Sequence, residues 1–370
     1  MSGVQLSARD PGMRWSSALF KTVTDGRDNG GGRPNRETDH GSEEPQTVLE
    51  EVERWLSERS WSVTDRPLHQ ILAAKRATGR TVSVVLPALN EEETVGAIVS
   101  AVRHDLVLRA PLVDEVVVVD SGSTDRTAAV AAAAGATVVH RDAILPRIPA
   151  VPGKGEVLWR SLLVTRGDIV CFVDADLREF SSDFVTGIVG PLLTDPDVHL
   201  VKAMYDRPLT APGGPASGTA AAGQGGRVTE LMARPLLNMH WPRLAGFVQP
   251  LGGEYAARRS LLERLPFPVG YGVELGMLVD ALHLVGLDAL AQVDVGVRLH
   301  RHQDGQALGR MAASIYRTAQ LRLARGHLVR PALTQFERAG ASFEPRTYSV
   351  DTEERPPMAE IAEYRARKVA

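Results

Sequence analysis

Ile169-Val170-Cys171-Phe172-Val173-Asp174-Ala175-Asp176 decides how the rest of the chain reads. Five apolar residues bounded by turn residues form a buried strand, and the two carboxylates then stand where that strand leaves its sheet. In an open parallel sheet, ligands bind at the carboxyl ends of the strands. Two carboxylates one residue apart at such an edge suit a divalent cation, which in turn holds a nucleotide diphosphate. Surface turns also produce Asp-X-Asp by chance, so the pattern gains weight only from its surroundings.

Those surroundings repeat one scheme. Thr81-Val82-Ser83-Val84-Val85-Leu86 is strand-like, and Pro87, with no amide hydrogen for a ladder, ends it. Pro87-Ala88-Leu89-Asn90-Glu91-Glu92-Glu93 then leads into Val95, Ile98, Val99 and Val102 at helical spacing. Next come the strand Val116-Val117-Val118-Val119, the turn Asp120-Ser121-Gly122-Ser123-Thr124-Asp125, a helix over 127–134 and the strand Thr137-Val138-Val139-His140. Gly153-Lys154-Gly155 precedes a helix over 156–165, and the strand ending at Asp174 follows. Strands alternating with crossover helices define an α/β fold with a mostly parallel sheet.

Composition sets the limits. At 370 residues the chain has room for one large domain or two ordinary ones. A net charge of −3 provides no general field for nucleic acid or anionic membrane, so any anion must be bound locally. Cys171 is the only cysteine, which excludes an intrachain disulfide, and its place inside an apolar strand marks it as core. No apolar run reaches the length of a membrane span and the first residues lack a signal-peptide pattern, so the expected location is the cytoplasm. The organisation expected is a polar, disordered or start-site-dependent segment over 1–46, short packing helices over 47–80 with Trp55 and Trp61 in the core, a nucleotide-binding unit over 81–206, an acceptor-binding region over 207–330, and a C-terminal tail over 331–370 that is charged and loose from Pro345 onward.

The loops after the strands carry the chemistry. Ser121 to Asp125 offers hydroxyls and amides at a helix start, suited to phosphate or ribose oxygens, although helix capping explains the same residues. Lys154 is a cation beside the next helix start, and its glycines fit neither the dinucleotide fingerprint nor the P-loop spacing. The glycine-rich stretch 208–226 runs into Gly225-Gly226-Arg227-Val228-Thr229-Glu230, where a helix start and a guanidinium act together on a phosphate. In Gln249-Pro250-Leu251-Gly252-Gly253-Glu254-Tyr255 small residues allow a sugar to approach the backbone. Tyr271-Gly272-Val273-Glu274 opens a helix with an acid in its first turn, which the helix dipole alone also explains. A strand over 293–299 delivers His300-Arg301-His302, and imidazole is a common metal ligand. The helix over 306–324 has an apolar face that serves either a dimer contact or its own domain.

Taken in order, Val84 to Glu93, Val117 to Asp125, Gly153-Lys154-Gly155 and Asp174-Ala175-Asp176 resemble the GT-A-type nucleotide-sugar glycosyltransferases. The later stretches are similar to the glucosyl-3-phosphoglycerate synthases of actinobacteria. The likeness runs from about Trp61 to Val329, leaving the N-terminal segment and the last 40 residues outside. It implies a GT-A-type nucleotide-binding unit with a smaller, helix-containing acceptor region, and transfer of glucose from UDP-glucose to the 2-hydroxyl of 3-phosphoglycerate with retention, by a dimeric enzyme using Mg2+ or Mn2+. It further implies a donor site of Pro87, Ala88, Leu89, Glu91, Ser121, Gly122, Lys154, Asp174, Ala175, Leu251, Tyr271 and Glu274. The acceptor site would be Gly226, Arg227 and Thr229, the metal ligands Asp176 and His300, and the catalytic positions Glu274, Leu251 and Asp176. His302 stands where the resemblance leads one to expect Asn. Competing readings are a mannosyl-type or inverting transferase, a sugar-phosphate nucleotidyltransferase, and a nucleotide-sensing module. The nucleotidyltransferase calls for a Gly-rich basic loop after the first strand, where this chain has Pro-Ala-Leu-Asn-Glu.

Overall fold

In a computed structural model of the chain, the described residues are 45–206, 226–298, 305–323, 332–339, 342–349 and 353–369. Residues 1–44, the glycine-rich stretch up to Gly225, and His300 and His302 lie outside them.

Helix α1 (Pro45–Arg59) leads directly into a short strand β1 (Ser60–Ser62), and α2 (Leu68–Thr78) follows. The repeating units then come in the expected order: β2 (Val82–Ala88), α3 (Val95–Val102), β3 (Glu115–Asp120), α4 (Thr127–Ala133), β4 (Thr137–His140), α5 (Lys154–Val164), β5 (Ile169–Phe172), α6 (Asp183–Thr194) and β6 (Leu200–Asp206). Beyond the gap stand α7 (Arg234–His240), β7 (Tyr255–Arg258), α8 (Arg259–Leu262), β8 (Phe267–Pro268), α9 (Val273–Val285), β9 (Leu290–Val297) and α10 (Gly305–Arg322). The chain ends with β10 (Ala332–Ala339), β11 (Ser342–Ser349), β12 (Glu354–Arg355) and α11 (Ala362–Val369).

Eight strands form one sheet in the order β1-β9-β6-β7-β5-β2-β3-β4. All neighbours pair in parallel except β7, which runs antiparallel to both β5 and β6. The near-continuous apolar runs follow from this, because both faces of the sheet are covered. Val85, Val117, Val119, Val170 and Phe172 enter one core cluster, and their alternates Val84, Leu86, Val116, Val118 and Cys171 enter the other. Cys171 is fully buried, as core.

The topology brings the C-terminal ends of β2, β3, β5, β6 and β9 to one edge. Because β7 alone runs the other way, it presents its N-terminal end there, so Gly253 and Glu254 arrive beside the residues that follow β5. One reversed strand thus adds a polar turn to an otherwise parallel ligand-binding edge.

Several local expectations differ from the structure. Pro87 does not end β2, which continues to Ala88 with Pro87 opposite Val119, a position where the proline asks for no ladder hydrogen bond of its own. Residues 60–62 are a strand of the main sheet rather than part of a packing helix, with Trp61 opposite Val293. Trp55 is fully buried, donating to the Leu290 carbonyl at 2.8 Å, whereas Trp61 is only partly buried under the Arg66 guanidinium. The sheet also crosses the boundary drawn at residue 206, since β7 and β9 belong to it.

The tail expected to be loose is the largest correction. β10 and β11 form an antiparallel hairpin, and β12 pairs with β8. Beyond it Met358 and Tyr364 are buried, Trp159 donates to the Pro356 carbonyl at 2.8 Å, and Arg355 reaches the buried Glu156 at 2.6 Å. Charged composition hid a short apolar stripe, Met358, Ile361 and Tyr364, that anchors the segment against the core.

Candidate active site

The strand ends open onto a cleft of about 1120 Å3. From β2 and the loop after it come Pro87, Ala88, Leu89 and Glu91, and from β3 comes Ser121. Asn90 ties these two loops together: its amide donates to Ser123 Oγ at 3.0 Å and its side-chain oxygen accepts from the Thr124 amide at 2.8 Å. Asp125 accepts from the Thr127 amide at 2.9 Å. The hydroxyls of this turn therefore serve the scaffold, and Ser121 faces the cleft. Gly122, expected at the donor, does not line it. Its positive φ turns the chain while its amide donates to Asp120 at 3.2 Å.

Asp174, Ala175 and Asp176 line the cleft directly after β5. The Thr94 hydroxyl at the start of α3 donates to the Ala175 carbonyl at 2.6 Å and holds this segment to the sheet edge. Lys154, first residue of α5, places its ammonium 2.5 Å from Asp174 and 3.0 Å from Glu274 at the start of α9. The glycines around it have a steric reason. A Cβ on Gly153 or Gly155 would collide with the backbone of Val269 or Pro268, and one on Gly253 with both Asp174 and Lys154.

Arg298, just past β9, completes the arrangement. Its guanidinium lies 2.9 Å from Asp174, 3.3 Å from Asp176, 3.1 Å from Glu254 and 2.9 Å from the Tyr205 hydroxyl. Burial alone would raise the Asp174 carboxyl, but Lys154 and Arg298 outweigh it and hold the group well below the usual carboxylate range. Burial likewise opposes the Lys154 charge, yet Asp174 and Glu274 keep its ammonium well above the ordinary lysine range. At Glu254 burial prevails and raises the carboxyl despite Arg298. The charges of Lys154 and Arg298 are thus paired at this edge with those of Asp174, Asp176, Glu254 and Glu274.

Gly226, Arg227 and Thr229 also line the cleft, with Gly226 in the left-handed region just before the helical turn. The turn over Thr229–Ala233 is a π-bulge, a feature common at functional sites. Leu251 and Tyr271 also face the cleft, and Tyr271 is 53% exposed, free to cover a ligand. Leu308, Met311 and Ile315 of α10 form an apolar wall. Every cleft residue expected from the sequence therefore meets the others there, except Gly122 and His300, the latter lying outside the described residues.

Arg298, Lys202 and Tyr205 belong to none of the sequence motifs, and Glu254 carries no assigned role in its own. One signal was available: a lysine inside the apolar strand Leu200-Val201-Lys202-Ala203-Met204-Tyr205, and an arginine closing another, are charges where cores rarely keep them. No group of three His, Cys, Asp or Glu side chains among the described residues is placed to hold a metal. Asp176 nevertheless fits a hard cation, because magnesium and manganese are commonly held by one or two carboxylates together with substrate phosphates.

A mostly parallel sheet whose ligand-binding edge gathers Asp174, Asp176, Lys154 and a basic helix start is the architecture of a nucleotide-sugar glycosyltransferase, and the family model described as "Glycosyl transferase family 2" matches residues 83–238. The glucosyl-3-phosphoglycerate synthase of Mycolicibacterium smegmatis is 51% identical over 308 residues, covering 83% of this chain and 98% of that protein. The one from Petrotoga mobilis is 40% identical over 306 residues, covering 81% and 93%. The chain belongs to the glucosyl-3-phosphoglycerate synthase family. Among solved structures it is similar to the synthase of Mycobacterium tuberculosis in complex with Mn2+, UDP and phosphoglyceric acid, with a TM-score of 0.70 and 46% identity over 79% of this chain and 94% of that one. Mannosyl-3-phosphoglycerate synthase from Rubrobacter xylanophilus matches with a TM-score of 0.75 and 40% identity, covering 84% and 97%.

Proposed function

We infer that the chain transfers glucose from UDP-glucose to 3-phosphoglycerate with a divalent cation. The observation that carries this reading is that one cleft is lined by two groups suited to anions: Lys154 beside Asp174 and Asp176, and Gly226 with Arg227 and Thr229. A sugar nucleotide and a phosphorylated acid bring two separate clusters of negative charge, and the cleft has a cationic or amide-rich group for each.

On this reading Pro87, Ala88, Leu89 and Glu91 surround the base, Ser121 faces the ribose, and Asp174 and Ala175 border the nucleoside. The Lys154 ammonium stabilises charge gathering on the departing diphosphate, where a fixed cation in a partly dry site acts most strongly. Tyr271 covers the donor, Glu274 accepts from the glucose hydroxyls and orients the ring, and Leu251 presents backbone beside the anomeric carbon. Arg227 and Thr229 with the Gly226 turn hold the acceptor phosphate. Asp176, with His300, would hold the cation, which supplies Lewis-acid stabilisation of the leaving phosphates. We assign retention of configuration, since no cleft carboxylate stands out as a covalent nucleophile and a phosphate oxygen on the sugar's own face suffices to take the acceptor proton. Both substrates are water-soluble anions, in keeping with a cytoplasmic reaction, and no helix among the described residues is long and apolar enough to cross a membrane. Tyr316 and Leu321 of α10 are exposed apolar side chains, and we assign them to a homodimer contact.

The test incubates the protein with UDP-glucose, Mg2+ and 3-phosphoglycerate and follows UDP release. UDP appearing only with the acceptor supports the reading, and proton NMR of the product's anomeric signal decides retention. The likeness to the Rubrobacter enzyme supports a second donor reading, mannose in place of glucose. A preference for a mannosyl nucleotide in the same assay would establish it.

A further inference from the structure

Lys202 lies in the middle of β6, fully out of solvent, between Tyr255 of β7 and Gln292 of β9 in the sheet register. It does not line the cleft. Its ammonium donates to the Gly252 carbonyl at 2.7 Å, its only hydrogen bond among the described residues, and sits 4.9 Å from the centre of the Tyr255 ring. Gly252 is the centre of the turn that carries Leu251 into the cleft and brings Gly253 against Asp174 and Lys154.

A buried ammonium satisfied by one carbonyl is an expensive way to hold a turn, because desolvation works against the charge. A buried apolar side chain of the same length would suit the strand better. The neighbourhood is polar beyond what stability asks for: Gln249 Oε1, Glu254 Oε1 and the Tyr255 hydroxyl are buried without a partner among the described residues. Departures from good core design of this kind concentrate at functional sites.

We propose that Lys202 is a positioning residue for the transfer reaction, its ammonium fixing the Leu251-Gly252-Gly253 turn through the Gly252 carbonyl and thereby setting where Leu251 meets the sugar. The proposal rests on the reading of the cleft given above. It has a pH signature. Burial lowers Lys202 to about 8, with Lys154 of α5 acting in the same direction and Glu274 of α9, Glu254 before β7 and Asp174 after β5 acting against it. Loss of the proton weakens the charge-assisted bond to Gly252, so the grip on the turn loosens as pH rises through that value.

The experiment compares wild type with Lys202→Met, which keeps the length of the side chain and removes the charge. The variant is expected to lose about 10- to 100-fold in kcat, the scale of a small misplacement at the reacting centre. KM for both substrates and the affinity for UDP with Mg2+ should stay within about threefold, because the groups that bind them are untouched. Its Tm should stay close to that of wild type, the unpaired Gly252 carbonyl offsetting relief of the buried charge, and amide hydrogen exchange over 249–254 should speed up. The alkaline fall of wild-type kcat near pH 8 should disappear. A variant with near-wild-type kcat, or with a lowered Tm and unchanged kcat, overturns the proposal, since the lysine is then ordinary core support. Should the variant fail to fold, a wild-type kcat flat from pH 7 to 9.5 overturns it as well. Absence of any wild-type UDP release would instead strike the functional reading, while exchange in the 249–254 turn still decides whether Lys202 holds it.

Discussion

Lys154 Nζ stands 2.5 Å from Asp174 Oδ1, joining the first residue of α5 to the second residue past the end of β5. The pair is possible because Gly253 has no side chain to intrude on either partner. Each charge offsets the desolvation of the other, and with Asp174 and Glu274 each taking one hydrogen the ammonium keeps one for an incoming phosphate.

Gly253→Ala should therefore separate the pair. Its Cβ would force Lys154 and Asp174 apart, and loss of one charge-assisted contact to the donor corresponds to about 1.5–3 kcal/mol. UDP affinity measured by titration calorimetry should weaken accordingly, with the response to 3-phosphoglycerate preserved. Unchanged UDP binding would show that the pair tolerates the intrusion.

Asp176→Asn removes a charged oxygen from the proposed cation site and leaves the shape intact. Activity with Mg2+ should fall by about 100-fold or more, the scale on which single transition-state stabilisers act. The concentration of Mg2+ or Mn2+ needed for half-maximal rate should rise. Activity near wild type would exclude Asp176 as the ligand.

Arg227→Ala should raise the KM for 3-phosphoglycerate by about 10- to 100-fold, the value of a charge-assisted contact, while the KM for UDP-glucose changes little. Steady-state kinetics varying each substrate in turn reads both. An unchanged acceptor dependence would remove the phosphate from this helix start.

Asp174 also predicts a pH dependence of stability. Its folded-state carboxyl is held below the ordinary value near 3.9, so it contributes stability that is present above that pH and lost as pH falls toward the lowered value. Asp174→Asn should cost about 3 kcal/mol near neutrality, the scale of breaking a buried ion pair, and should flatten the acid limb of urea denaturation midpoints. Equal slopes for variant and wild type below pH 4 would refute it.

Cleft residues that lie within a few positions of a strand end or helix start were legible in the sequence. Pro87 to Glu91, Lys154, Asp174 to Asp176, Arg227 and Glu274 belong to local patterns in which an apolar run, a turn and an amphipathic stretch follow one another. Lys202, Glu254 and Arg298 were not, because their significance depends on which strands become neighbours. Glu254 reaches the site only because β7 runs against β5 and β6, and Arg298 only because β9 lies beside β6.

The chain's own order of residues determined the α/β alternation and the cluster of donor and acceptor groups, since short apolar runs, helical apolar spacing and turn chemistry act over a few residues. Tertiary structure alone decided the reversed strand, the capture of Ser60–Ser62 by β9, and the docking of the C-terminal segment on β8 and α5. Those contacts join residues from about 50 to more than 200 positions apart, as in Lys202 with Tyr255, Ile169 with Arg258, Trp61 with Val293 and Glu156 with Arg355. Short-range pattern carries no record of such pairings; they are selected by which surfaces together exclude water and satisfy one another's charges.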